Sequence, residues 1–236
     1  MVINMLYRHE LKYLCSEIQS RCIEERLKCF MDMDSNVDAS REYLVRSIYF
    51  DDYENSCYYE NEYGLVPRAK FRVRSYNNSR EYLVLEKKEK VGQMTRKTQQ
   101  EINIRILEQM KKGKVSSAEK TGTLIEEWNR LAWERILKPV EIVESSRTPF
   151  IYRPGNVRIT IDKDISASHR IDSFFDRTTS GIPIMQTGYS IIEVKYDSFL
   201  PGVIYSQLRG VCEEQITFSK YYLGRKALYG RLVKIC

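Results

Sequence analysis

The sequence lacks the features that mark several common classes of protein. Its longest apolar runs are only a few residues, far short of the about 20 residues needed to span a bilayer. Its N-terminal stretch, MVINMLYRHELKYL, has neither the basic region nor the long apolar region of a signal peptide. None of the six cysteines forms a C-x-x-C pair, so a zinc site is not expected. We therefore expect a cytoplasmic protein with reduced cysteines.

Histidine is also scarce, and the cysteines are not arranged for chemistry. His9 and His169 are the only histidines, and neither has a Ser or Cys partner in a recognisable motif, so a nucleophilic triad is not supported. Cys15, Cys22 and Cys29 are seven residues apart, which predicts one face of a helix. We interpret these three as small buried apolar residues.

No linker rich in proline, glycine or serine divides the chain, and no repeat of fixed period is found. The 236 residues are 42% hydrophobic and 30% charged, which is typical of a globular protein with a substantial core. We expect a single domain over residues 1–236. The formal net charge of +6 suits a polyanionic ligand, but many ordinary proteins carry as much, so the placement of the charges must decide.

Strands dominate the predicted secondary structure, and the helices are grouped between them. Ser16 and Gln19 predict a capping box at the start of the first helix. The predicted helices are 16–30, 53–63, 105–112, 117–136 and 219–233, with Trp128, Leu131 and Ile136 as packing candidates on the fourth. The predicted strands are 4–14, 45–50, 69–76, 81–90, 95–104, 139–145, 148–153, 156–163 and 189–197. This order indicates an α+β fold with an antiparallel sheet.

Several predicted strands carry charge on one face, since residues i and i+2 of a strand share a face. In residues 70–74, Lys-Phe-Arg-Val-Arg, the three cations face one way and the two apolar side chains face the other. Residues 157–162 place Arg158, Thr160 and Asp162 opposite three aliphatic side chains. In residues 191–195, Glu193 and Lys195 share a face with Ile191.

These faces have two interpretations. An ordinary half-buried strand would turn such a face to water. However, the polar faces are rich in arginine and in E-x-K pairs, and the opposite faces are apolar enough to pack under the predicted helices. If helices cover the outside, the charged faces share an interior, and self-repulsion would make it unstable unless an anion fills it. Arginine binds phosphate through two parallel hydrogen bonds, and carboxylates among the cations suit Mg²⁺ or Mn²⁺.

These stretches resemble the VTC domain, the polyphosphate-polymerase module of the triphosphate tunnel metalloenzyme superfamily. The resemblance follows the family's order over nearly the whole chain, and each stretch is weak alone. The stretches are R-H-E-L-K-Y at 8–13, S-I-Y-F-D-D at 47–52, K-F-R-V-R-S-Y at 70–76, L-E-K-K-E-K at 85–90, T-R-K-T at 95–98, S-R-T-P-F at 146–150, V-R-I-T-I-D at 157–162, I-E-V-K-Y at 192–196 and F-S-K-Y at 218–221.

The resemblance implies an eight-stranded antiparallel β tunnel with flanking helices, which binds a triphosphate. It implies catalytic cations, six of which also bind substrate. The catalytic set is Lys12, Arg72, Arg74, Lys88, Lys97, Arg147, Arg158 and Lys220, and the substrate-binding set omits Lys88 and Lys97. Glu193 matches the family's ligand for a divalent metal, Mn²⁺ or Mg²⁺. Glu10 and Glu86 belong to E-x-K pairs and are further candidate metal ligands.

One departure bears on the reaction. The hydrolytic branch of the superfamily usually begins E-x-E-x-K, whereas here Arg8 stands in place of the first glutamate. This favours a polymerase, which extends polyphosphate with the terminal phosphoryl group of a nucleoside triphosphate. A metal-dependent triphosphatase and a non-catalytic sensor of polyphosphate or inositol phosphates remain alternatives. The resemblance also allows a membrane-associated partner protein.

Nucleic acid is not an expected partner. A nucleic-acid binder would need an exposed basic stripe with stacking aromatics. Tyr76, Tyr221 and Tyr222 do lie near basic residues, but the chain has 17 tyrosines, so such proximity carries little weight.

Overall fold

The computed structural model describes residues 2–4, 7–34, 37, 41–92, 94–114, 123–176, 181–212 and 214–230. Within these ranges the strands, β1 to β11, are Val2–Asn4, Arg8–Ser16, Asp32–Met33, Tyr43–Asp51, Arg68–Tyr76, Leu83–Val91, Met94–Ile102, Lys138–Tyr152, Val157–Ser168, Ile182–Pro183 and Tyr189–Tyr196. The helices in the same ranges, α1 to α6, are Glu17–Lys28, Ser56–Glu62, Ile104–Lys111, Thr123–Arg135, Gly202–Leu208 and Lys220–Leu228. None of these described helices is long and apolar enough to cross a membrane.

Eight of the strands close into an antiparallel barrel, as predicted. Around the ring the order is β9, β11, β2, β7, β6, β5, β4 and β8, and β8 pairs back with β9. The link between β2 and β7 is short, since it joins only Arg8 with Thr95 and His9 with Met94. Strand β1 pairs with a further stretch of β7, from Thr98 to Gln100.

Strand β8 differs from its prediction. The two strands expected at 139–145 and 148–153 are one strand of 15 residues, Lys138–Tyr152. Its register against β9 shifts between Glu144 and Ser146, where the prediction placed a break. Because this long strand pairs with β4 along one edge and with β9 along the other, it closes the barrel.

Helices cover the outer, apolar faces of the barrel strands. Phe71 and Val73 of β5 belong to a buried cluster with Leu107 of α3 and Trp128 of α4. On another side, α1 and α5 cover β9 and β11 through a second cluster that includes Ile23, Ile204, Ile161 and Ile192. Leu131 packs against the first cluster as predicted, but Ile136 does not, because its side chain is 62% exposed just beyond the end of α4.

The local predictions at the chain's first helix had mixed outcomes. The capping box is present, because Ser16 Oγ accepts from the Gln19 amide at 3.3 Å and Gln19 Oε1 accepts from the Ser16 amide at 2.8 Å. The cysteine prediction is confirmed only for the burial of Cys15. Cys15 is buried on β2, before the helix begins, and Cys22 and Cys29 are exposed.

Helix α6 borders the barrel interior. Its Tyr221 is fully buried against Tyr49 of β4, and Tyr49 also lines the interior cavity described below. Gly224 allows this close approach, since a Cβ atom there would lie 2.5 Å from Oε2 of Glu141 on β8. The predicted helix 219–233 ends at Leu228, and residues 231–236 lie outside the described part of the chain, as do 115–122 before α4.

Candidate functional site

The barrel encloses a cavity of about 390 Å³ with a strongly basic wall. Its lining contains fourteen Lys and Arg side chains and four Asp and Glu side chains. Ten of the eleven predicted site residues belong to it: Glu10, Lys12, Arg72, Arg74, Lys88, Lys97, Arg147, Arg158, Glu193 and Lys220. The charged faces of the strands therefore point inward, and the excess of cations in the cavity wall is larger than the net charge of +6 of the whole chain.

Glu86, the eleventh predicted residue, lies just behind the cavity wall and gathers three of its cations. Its carboxylate is 2.7 Å from Arg72, 3.1 Å from Lys97 and 3.7 Å from Arg74. The residue is only 1% exposed. Burial opposes ionisation, but Arg72, Arg74 and Lys97 outweigh it and hold the pKa of Glu86 well below its usual range. Glu86 is thus an ionised anchor that fixes the positions of three cations.

Glu10 and Glu193 come together on the neighbouring strands β2 and β11. Lys12 Nζ lies 2.8 Å from Glu10 and 3.7 Å from Glu193, and Lys88 Nζ donates to Glu10 at 2.8 Å. Lys195 contacts the Glu193 carboxylate. Burial and Glu10 raise the pKa of Glu193, but Lys195, Lys12 and Lys88 bring it down to about 2. Burial also raises the pKa of Glu10, and the same three lysines lower it well below the usual value.

A third group joins β8, β9 and α6. Arg147 holds Asp162 through two parallel hydrogen bonds of 2.7 and 2.8 Å, and Lys220 Nζ lies 3.1 Å from the same carboxylate. Lys220 also donates to Ser145 Oγ at 2.6 Å. Burial lowers the pKa of Lys220 to about 7 with help from Arg147, although Asp162 opposes this. Arg158 contacts Asp34 at 2.9 Å.

Some cavity residues were not among the predicted site residues. Asp162, Lys195 and Lys70 all line the wall. The alternation of β5, β9 and β11 had placed all three on the charged faces, so the pattern contained the information. All three also lie within the matched motif stretches, but the resemblance assigned them no role. Tyr49, which was given no role in the sequence analysis, accepts a 2.9 Å hydrogen bond from Arg72.

The departure at Arg8 has a clear structural setting. Arg8 lines the cavity and forms an ion pair with Asp197 at 2.8 Å. The next residue, His9, also lines the cavity and stacks on Tyr196 with ring centroids 4.9 Å apart. The hydrolase pattern would place a further carboxylate at position 8, near Glu10. This chain holds the cation Arg8 there instead.

The carboxylates present fit a metal that is shared with substrate. Within the described ranges, no three His, Cys, Asp or Glu side chains come together as a complete metal site. Glu10 and Glu193 nevertheless both contact Lys12, and both are held ionised. Mg²⁺ is commonly held by one or two carboxylates plus substrate phosphates, and this pair can supply that protein share. Glu86 lies apart, among three cations.

Solved structures of other proteins share this fold. HpAC1 of Hippeastrum, described as an adenylyl cyclase candidate with a dominant triphosphatase activity, has a TM-score of 0.58 at 14% identity, over 96% of this chain and 97% of its own. An adenylate cyclase candidate of Bacillus halodurans has a TM-score of 0.55 at 14% identity, over 92% and 95%. The fold is that of the triphosphate tunnel proteins.

The sequence identifies the family to which this chain belongs. The family model of the VTC domain matches residues 7–229, nearly the whole chain, and this protein belongs to that family. No curated protein matches the sequence.

Proposed function

We propose that this protein is a polyphosphate polymerase, which transfers the terminal phosphoryl group of a nucleoside triphosphate to a growing polyphosphate chain. The observation that carries the proposal is the enclosed cavity with fourteen basic and four acidic side chains in its wall. A cavity so charged favours a ligand with several negative charges along its length. Membership of the VTC domain family supports the same ligand.

The proposed reaction needs charge stabilisation more than proton transfer. A terminal oxygen of the polyphosphate chain attacks the γ-phosphorus of the nucleotide, and the bond from that phosphorus to the β–γ bridging oxygen breaks. The nucleoside diphosphate leaves, and the chain is longer by one phosphate. The attacking oxygen is already ionised, so no general base is required. Arg72 and Arg74, held in place by Glu86, would stabilise the charge on the transferred group.

The remaining predicted cations would bind the rest of the two phosphate chains. Arg147 presents a planar guanidinium fixed by Asp162, and Arg158 and Lys220 lie in the same wall. Lys12, Lys88 and Lys97 add point charges beside the carboxylates. Glu10 and Glu193 would hold Mn²⁺ or Mg²⁺, which supplies charge neutralisation on the phosphates when bound. Glu86 is the weaker metal candidate, because Glu10 and Glu193 line the cavity whereas Glu86 lies behind its wall.

The basicity of the carboxylates favours a polymerase over a hydrolase. A hydrolase has to activate water, and a carboxylate with a lowered pKa is a weak base. The pKa values of Glu10, Asp162 and Glu193 are all lowered, because nearby cations outweigh the effect of burial. Glu60 of α2 is the exception in the cavity wall, since burial and the charges of Asp51 and Asp52 raise its pKa.

The test is incubation of the pure protein with ATP and Mn²⁺, followed by separation of the products by length. A polymerase yields lengthening polyphosphate chains. Free phosphate as the sole product would exclude polymerisation and leave the triphosphatase alternative. Tight binding of tripolyphosphate with no turnover at all would indicate a sensor.

Two variants sharpen this assay. Arg72→Ala should abolish chain growth, whereas Lys87→Gln should not, because Lys87 lies outside the cavity and pairs with Glu89 and Glu127. Glu60→Gln distinguishes the two reactions. It should leave chain growth within about twofold, whereas a hydrolase that used Glu60 as its base would lose about 10²-fold or more.

A further inference from the structure

Lys70 of β5 is a cavity cation that no motif assigns. Its Nζ donates to Ser219 Oγ at 3.1 Å, and it lies 5.4 Å and 5.9 Å from the ring centroids of Tyr221 and Tyr49. Ser219 is the N-cap of α6 and its Oγ also accepts from the Tyr222 amide at 3.3 Å. Lys70 is therefore directed by fixed partners towards the region where α6 borders the cavity.

Lys70 differs in its counter-charges from the four tunnel lysines with predicted roles. Lys12 and Lys88 contact Glu10, Lys97 contacts Glu86, and Lys220 contacts Asp162. Among the described residues, no carboxylate lies within ion-pair distance of Lys70. The titratable and charged groups that face it from every side are Lys88 on β6, Lys12 on β2, Arg72 on β5, Cys57 on α2, Tyr49 on β4, Tyr221 on α6 and Glu141 on β8.

The charge of Lys70 is consequently poorly supported by the described residues around it. Burial, together with Lys88, Lys12 and Arg72, lowers its pKa to about 7. Glu141 does not compensate, because its own burial raises its pKa well above the usual value and its two carboxyl oxygens have no hydrogen-bond partner. The missing partner of Lys70 is thus an anion that the described residues do not provide.

We propose that Lys70 is a further phosphate-binding residue of the cavity, and that it takes up a proton when a phosphate chain binds beside Ser219. The proposal rests on the proposed function in one respect, namely that a polyanion enters the cavity. A bound phosphate supplies the absent counter-charge and favours the ammonium form. One of the three ammonium protons is directed to Ser219, which leaves two for phosphate oxygens. Because the bound Lys70 is protonated, it does not serve as a base for water.

The sign of the pH dependence follows. Below about pH 7 Lys70 is charged with or without ligand, and binding takes up no proton there. Above that pH the free protein holds a neutral Lys70, so binding draws a proton from solution and the affinity falls as the pH rises. The pKa values of Lys220 and Lys88 are also lowered, so these two lysines add to the proton uptake on binding. The contribution of Lys70 is therefore the difference in proton uptake between wild type and the Lys70 variants.

The experiment is calorimetric titration of the full chain with inorganic tripolyphosphate at pH 8, in two buffers of different ionisation enthalpy. Wild type, Lys70→Met, Lys70→Arg and Lys87→Met are compared. We expect Lys70→Met to bind about tenfold more weakly or worse, as for a lost charge-assisted hydrogen bond. Lys70→Arg should retain the affinity within about threefold but take up as much as one proton fewer, since arginine is always charged. Lys87→Met should match wild type in both quantities.

Each outcome separates the two proposals. If wild type binds tripolyphosphate and Lys70→Met and Lys70→Arg both match it in affinity and proton uptake, the role of Lys70 is refuted while the polyanion cavity stands. If wild type does not bind tripolyphosphate, the proposed function fails and this inference fails with it. Should Lys70→Met not fold, the proton count of Lys70→Arg decides alone.

Discussion

Replacing Glu86 with Gln tests the charge balance of the tunnel most directly. The substitution preserves shape and removes one negative charge from a site that is 1% exposed and lies within 4 Å of three cations. Removing one partner of a buried ion pair typically costs about 3–5 kcal/mol, because the other charge is left buried and unpaired. For a chain of this length about 1 kcal/mol shifts Tm by about 2–4 °C. We therefore expect Tm to fall by about 6–20 °C at pH 7.

The pH dependence of this loss has a definite sign. The pKa of Glu86 is lowered in the folded protein, so its contribution is present above the unfolded-state pKa of a glutamate. It is lost as the pH falls through the folded-state pKa. The difference in Tm between wild type and Glu86→Gln should therefore be largest near neutrality and shrink in acid.

The assay is thermal unfolding followed by circular dichroism, with and without tripolyphosphate. A bound polyanion replaces the lost negative charge, so Glu86→Gln should gain more stability from tripolyphosphate than wild type does. Glu108→Gln is the matched control. Glu108 pairs with Lys111 at 2.8 Å on an exposed surface, where an ion pair contributes about 0–1 kcal/mol. The reasoning is refuted if Glu86→Gln loses no more than this control, or if tripolyphosphate stabilises wild type and variant equally.

Three further perturbations test the packing, the metal and the arginine geometry. Gly224→Ala places a methyl group against Glu141 and should lower the free energy of unfolding in urea by about 1–3 kcal/mol. The control is Gly202→Ala, whose added methyl group meets nothing within 4 Å and should leave the free energy of unfolding unchanged. Equal effects of the two substitutions would contradict the close approach of α6. Glu193→Gln should raise the Mn²⁺ concentration for half-maximal chain growth by about tenfold or more, and an unchanged Mn²⁺ requirement would exclude it as a ligand. Arg147→Lys loses the two parallel hydrogen bonds to Asp162 that fix the guanidinium, and it should weaken tripolyphosphate binding by about tenfold or more in calorimetry. Retained affinity would show that a positive charge alone suffices at this position.

The inward and outward faces of the strands follow from the sequence pattern alone. A strand alternates with a period of two whatever surrounds it, so Lys70, Arg72 and Arg74 had to lie opposite Phe71 and Val73. The helix-capping residues at Ser16 are equally local. The family motifs added the barrel and most of the cavity-lining residues, because they preserve local patterns around each functional side chain.

The closure of the barrel could not be predicted from local pattern. Strand β8 pairs with both β4 and β9 as one continuous strand, and its register against β9 shifts between Glu144 and Ser146. Residue spacing misplaced the cysteines because Cys15 lies on a strand and only Cys22 lies within the helix that follows. Such outcomes depend on which segment packs against which, and local pattern does not contain that information.

The tertiary structure also decided which charges neutralise one another. Glu86 meets Arg72 and Lys97 across neighbouring strands, whereas Asp162 meets Arg147 across a barrel seam and Lys220 from α6. These partners are separated along the chain and are joined only by the fold. For the same reason the sequence placed Lys70 on the charged face but could not reveal that it lies among cations, with no carboxylate of the described residues within ion-pair distance.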